Sequence, residues 1–89
     1  VKRNLIDELN GTSVEPVAKL AYKVIDTVQD NSAAEQVNTL ALLYLLVAEH
    51  YGVNVRHELE RAENIIVKQR KVKGETFRAL EAYIKGELK

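Results

Sequence analysis

Leu40-Ala-Leu-Leu-Tyr-Leu-Leu-Val-Ala48 is an unbroken apolar run inside a stretch whose spacing predicts one helix over residues 33–51. A helix resting on a protein surface shows a single apolar stripe, whereas one that is apolar all round must be covered on every side. At about 1.5 Å per residue the run is roughly 14 Å long, about half the hydrocarbon core of a bilayer, so it is too short to span a membrane. With only 89 residues, the chain has few other segments with which to surround it. The expected class is an all-α, compact bundle of four to five helices, packed as a homodimer through the apolar helix 33–51. The residues expected at that interface are Leu40, Leu42, Leu43, Leu45, Leu46 and Val47.

Working outward, helical periodicity recurs in every segment and the two-residue alternation of strands in none. Leu5, Ile6 and Leu9 mark a short first helix stopped at Asn10-Gly11. Thr12 and Ser13 offer capping oxygens for a second helix that tolerates Pro16 in its first turn. In that helix Val17, Ala21, Val24 and Val28 step by four, three and four, flanked by Leu20 and Ile25 and opposed by Lys19, Lys23, Asp26 and Asp30. Ser32-Ala-Ala-Glu35 reads as a capping box opening the apolar helix, and Gly52 as its stop. Asn54 is placed to cap a fourth helix with Val55, Leu59, Ala62 and Ile66 on its apolar side. Beyond Gly74, which either stops that helix or only weakens it, Phe77, Leu80, Ile84 and Leu88 mark a last amphipathic segment.

Residues 1–89 read as a single helical domain without linker or repeat. Hydrophobic residues make up 46% and charged residues 29%, which argues against disorder. Thirteen basic and thirteen acidic residues cancel, so net charge gives no reason to expect nucleic acid. Residues 1–49 carry four basic and seven acidic groups, a net −3, and residues 50–89 nine and six, a net +3. With no cysteine, disulfides, thiolate metal sites and a cysteine nucleophile are excluded. The N-terminal stretch lacks the apolar core of a signal peptide. Val1 in place of Met is compatible with a removed leader, and the default expected location is the cytoplasm.

Lys19-Leu-Ala21 leading into Tyr22-Lys23-Val-Ile-Asp26, then Glu35-Gln-Val-Asn38 before Tyr44-Leu-Leu46 and Gly52-Val-Asn54, resembles the MazG-like all-α nucleoside-triphosphate pyrophosphatases in the order and spacing of helices. The resemblance runs over roughly residues 17–70. It implies a magnesium-dependent nucleotide pyrophosphohydrolase whose metal would be held at Asp26, Glu35 and Asn38. Tyr22, Lys23 and Asn38 stand where that family has carboxylates, and an ammonium at an ion site opposes magnesium. The distance from Asn38 to Gly52 is also one residue longer than the family pattern. The resemblance therefore points to a degenerate, non-catalytic relative ahead of an active enzyme, with no cofactor on the first reading and magnesium on the second.

Ala48-Glu-His-Tyr-Gly52-Val-Asn-Val has the alanine and glycine spacing of a DNA-binding helix-turn-helix, with Arg56, His57 and Arg61 on its reading helix. Glu58 and Arg61 stand where that motif wants apolar residues, so a plain glycine corner between packed helices is the better reading. Lys68, Arg70, Lys71 and Lys73 are candidate phosphate contacts, and equally cations that complement a helix C-terminus. His50 and His57, seven apart across a glycine turn, read as half-exposed polar residues ahead of zinc ligands. No catalytic triad or glycine-rich phosphate loop is present. The expected function is a small helical interaction and oligomerisation protein. Its partner would be a second copy, or another protein, and not a membrane.

Overall fold

The capping box at Ser32 forms as its residue types require. The backbone N–H of Glu35 donates to the Ser32 hydroxyl at 3.2 Å, and the Glu35 carboxylate accepts from the Ser32 N–H at 3.1 Å. In the computed structural model, which describes residues 3–11 and 13–88, this box opens the third of five helices. The order is α1 (Arg3–Gly11), α2 (Val14–Val28), α3 (Ala33–Tyr51), α4 (Val55–Val72) and α5 (Glu75–Glu87). The described residues form an all-α bundle without strands, and none of their helices is long and apolar enough to cross a membrane.

Local chemistry explains most boundaries. Gly52 ends α3 in the left-handed conformation at φ 67°, its N–H turned back to the carbonyls of Ala48 and Glu49. The side chain of Asn54 accepts from the His57 N–H at 3.0 Å and starts α4. Ser13 occupies the N-cap of α2 but its side chain makes no capping bond, and Thr12 lies outside the described residues. Gly74 is where the fourth helix has already ended. Lys73, not the glycine, takes the left-handed conformation at φ 55°, and Gly74 becomes the N-cap of α5.

Helices α2 and α5 form the most closely packed pair among the described residues. Ala18 and Ile25 of α2 and Phe77 of α5 are buried, together with Ala48 of α3. This corrects the expected stripe on α2. Val17, Leu20 and Val24 are exposed, and the buried edge runs through Ala18 and Ile25 instead. The reason is α5, whose Tyr83 reaches Asp26 on the side that reads as polar. On α4, Val55, Ala62 and Ile66 are half-buried, Leu59 is exposed, and no residue is buried.

Gln36 joins α2 to α3. Its side-chain amide donates to the carbonyls of Asn31 at 2.9 Å, Val28 at 3.1 Å and Gln29 at 3.3 Å, closing the C-terminal end of α2. The Val28 carbonyl also accepts the Asn31 backbone N–H at 3.0 Å, so the buried amide reinforces the turn that closes α2 and fixes where α3 begins.

The body measures 38 × 31 × 18 Å, about two helices thick in its short direction. Its radius of gyration is 13.8 Å, against about 12 Å for a well-rounded domain of this length.

Candidate interaction surface

On α3 only Gln36, Leu40, Tyr44 and Ala48 are buried or half-buried. They step by four along one narrow ridge, and that ridge is all the helix turns toward its own chain. Leu40, expected at an interface, is half-buried on this ridge. Leu42, Leu43, Leu45, Leu46 and Val47 are each more than half exposed, with Val37 at 66% and Leu42 at 61%.

The whole chain shows the same excess. It exposes 7155 Å², whereas a folded monomer of 10.0 kDa exposes about 5,200 Å². The difference is about 1,900 Å² per chain. Apolar side chains contribute to it: Val17, Leu20 and Val24 on α2 and Leu59, Val67 and Val72 on α4 are exposed, as are the leucines of α3. Only four apolar residues are buried among those described.

Asp26 and Glu35, two of the three residues implied as magnesium ligands, are both hydrogen-bonded within the chain. Asp26 accepts from the Tyr83 hydroxyl at 2.5 Å and from the Gln29 amide at 3.0 Å. Glu35 is held in its capping box, and the Ser32 backbone N–H and hydroxyl, then Asn31, keep its carboxyl below the usual range. Among the described residues no three His, Cys, Asp or Glu side chains lie close enough to hold a metal together.

The corner at Gly52 is tied into the bundle. Arg61 donates to the Asn10 side chain across the gap to α1. Its Nε also lies 3.0 Å from Glu58 Oε1, paired by charge and not by an aligned hydrogen bond. The Tyr44 hydroxyl is buried beside this pair without a hydrogen-bond partner. Burial first, and then the Glu58 charge, push its pKa up. Of the three residues expected on a reading helix, Arg56 and His57 are exposed, while Arg61 is committed to holding α1 and α4 together.

The basic cluster divides in the same way. Arg70 reaches across to Glu81 of α5, at 2.6 Å from its terminal nitrogen and 3.1 Å from Nε. That bond lowers the Glu81 carboxyl and raises the guanidinium. Lys68, Lys71 and Lys73 are exposed. At about 100° per residue Arg70 lies across the helix from Lys68, so the four cations do not make one phosphate-facing row.

A concavity of about 730 Å³ is lined by Asn54, Val55, Arg56, Leu59, Glu60 and Glu63, all from the start of α4. Ligand pockets enclose their occupant between walls, and one helix face supplies only one. A smaller cleft of about 180 Å³ does have two walls, Leu9 of α1 against the Gly52 corner and His57, but it falls short of the usual size for a small-molecule site.

Comparison with known proteins finds no family model, curated protein or solved structure that matches this chain. Function is therefore read from the chain's own geometry. Sequence reasoning passed over three positioning residues: Gln36, Tyr83 and Asn10. Gln36 alone carries a signal, as the single polar member of the step Gln36, Leu40, Tyr44, Ala48. Tyr83 and Asn10 act on partners more than fifty residues away.

Proposed function

We propose that this chain is a small helical interaction module that works by self-association, with α3 at the centre of the contact. The observation that carries the reading is the exposure of Leu42, Leu43, Leu45, Leu46 and Val47 on a helix that gives its own chain only a narrow ridge. Lone exposed leucines are ordinary, but five large apolar side chains exposed within residues 42–47 of one helix support a place where another molecule sits.

The area supports the same conclusion. Covering about 1,900 Å² on each of two chains would bury about 3,800 Å², inside the roughly 2,000–5,000 Å² range of obligate homodimers. With four apolar residues buried among those described, the isolated chain has little core of its own, so folding and association are coupled. Light scattering on the purified protein tests this directly, the expected mass being a multiple of 10.0 kDa.

The magnesium pyrophosphohydrolase reading rests on Asp26, Glu35 and Asn38, and the DNA-binding reading on Arg56, His57 and Arg61 with Lys68, Arg70, Lys71 and Lys73. We rank both behind self-association, because Lys23 stands three residues from Asp26 and disfavours a cation there, and Arg61 and Arg70 are engaged within the chain.

A further inference from the structure

Glu35, Thr39, Leu42, Leu43, Leu46 and His50 are all exposed. At about 100° per residue they fall within one arc of about 100° on α3, its middle turned about 130° around the helix from the middle of the Gln36–Ala48 ridge. Their order is symmetric. Reading inward from either end, the steps are four, then three, then the adjacent leucine pair in the middle. Such a face is complementary to itself when a second copy runs antiparallel across it, because a two-fold contact brings residue i to residue j and j to i.

Resting on the self-association reading, we infer that the occupant of this face is a second copy of α3, antiparallel, with the two-fold axis between Leu42 and Leu43. At the centre Leu42 and Leu43 then pack against the same pair of the partner, Thr39 meets the partner's Leu46, and Glu35 meets the partner's His50. The leucines form the dry centre, and a carboxylate faces an imidazole at each end. The Ser32 bonds of Glu35 fall on one carboxylate oxygen, and the exposed carboxylate carries the charge that faces the partner. A shallow crossing of about 20°, as in left-handed helix bundles, keeps those ends in reach, since they lie only about 11 Å from the axis. A parallel pair would instead set Glu35 against Glu35 and His50 against His50.

The absence of cysteine makes the orientation directly measurable. Single variants Leu43→Cys, Thr39→Cys and Leu46→Cys are oxidised under mild conditions, alone and as a mixture of the last two, while sedimentation reports the mass of each before oxidation. Leu43→Cys is expected to cross-link to itself. Thr39→Cys and Leu46→Cys are expected to fail alone, because each is offset from its own copy by seven residues, about 10 Å, beyond disulfide reach. Mixed, they are expected to cross-link to each other. As a second readout, His50→Glu is expected to weaken the dimer several-fold relative to His50→Lys, in line with roughly fivefold or less per exposed ion pair.

Self-linking of all three variants with equal ease would overturn the antiparallel pairing in favour of a parallel one. A dimer in which none cross-links would move the contact off this face, leaving self-association standing. A monomer at every concentration would remove the reading on which the pairing rests and pass the apolar face to a different protein.

Discussion

Tyr83 of α5 donates its hydroxyl hydrogen to the Asp26 carboxylate of α2 at 2.5 Å, and its ring lies 4.3 Å from that of Tyr22 between centroids. One residue thus makes both a charge-assisted hydrogen bond and an aromatic contact across the best-packed helix pair. The bond to Asp26, followed by burial, pushes the Tyr83 phenol up to about 12. Because the folded value lies above the unfolded one of about 10, its stabilisation is fully present below pH 10 and is lost as pH rises through the folded value. Ultraviolet titration of the four tyrosines should show one phenolate appearing last, and Tyr83→Phe should remove that late phase. The same variant should cost about 1 kcal/mol in chemical denaturation.

Gln36 is 9% exposed and serves three carbonyls at the end of α2. Replacing it with Leu keeps bulk but removes the donor, leaving the Gln29 and Asn31 carbonyls without this partner and the Val28 carbonyl with only the Asn31 N–H. The expected loss is about 1–3 kcal/mol, with hydrogen exchange accelerating first around residues 28–36. If Gln36→Leu matched the parent protein in denaturation, the amide would be incidental to the α2–α3 joint.

Acid should weaken the fold through two carboxylates. Hydrogen bonds from the Ser32 backbone and hydroxyl lower Glu35, and the Arg70 hydrogen bond lowers Glu81. A folded value below the unfolded one gives stability that is present above the ordinary carboxylate range and lost as pH falls through the folded value. At fixed protein concentration, melting temperature should therefore hold steady near neutrality and drop on acidification. Ser32→Ala and Arg70→Gln should each flatten that acid limb, and Ser32→Ala should also cost about 1 kcal/mol at neutral pH from the lost cap.

The parts of this fold legible in the sequence are those decided by neighbours. Ser32 with Glu35, Gly52 and Asn54 place the ends of α3 and the start of α4 through bonds spanning three to five residues. The stop before α5 is less legible because Gly74 draws attention while Lys73 makes the turn. The buried side of α2 is not legible locally, since Val17 with Val24 and Ala18 with Ile25 are equally good apolar pairs. The choice between them lies with α5, through Phe77 and Tyr83. The apolar surface of α3 was legible because nine apolar residues in succession cannot all face one way, whereas its inward ridge emerged only with Gln36 in place.

Mixed nucleoside triphosphates with magnesium should yield no pyrophosphate above background. Asp26 is engaged by Tyr83 and Gln29, and Glu35 by Ser32. Lys23 adds a positive charge three residues from Asp26, which disfavours a cation there. Release that disappears in Asp26→Ala would restore the pyrophosphohydrolase reading.

Sedimentation equilibrium over a wide concentration range tests self-association through α3 most directly. The parent chain is expected to sediment as a dimer of the 10.0 kDa chain down to low micromolar concentrations. Leu46→Asp, which sets a carboxylate among leucines that are more than half exposed in the single chain, is expected to dissociate or unfold it. The contradicting result is a parent chain that stays folded and monomeric at several hundred micromolar, with Leu46→Asp no less stable.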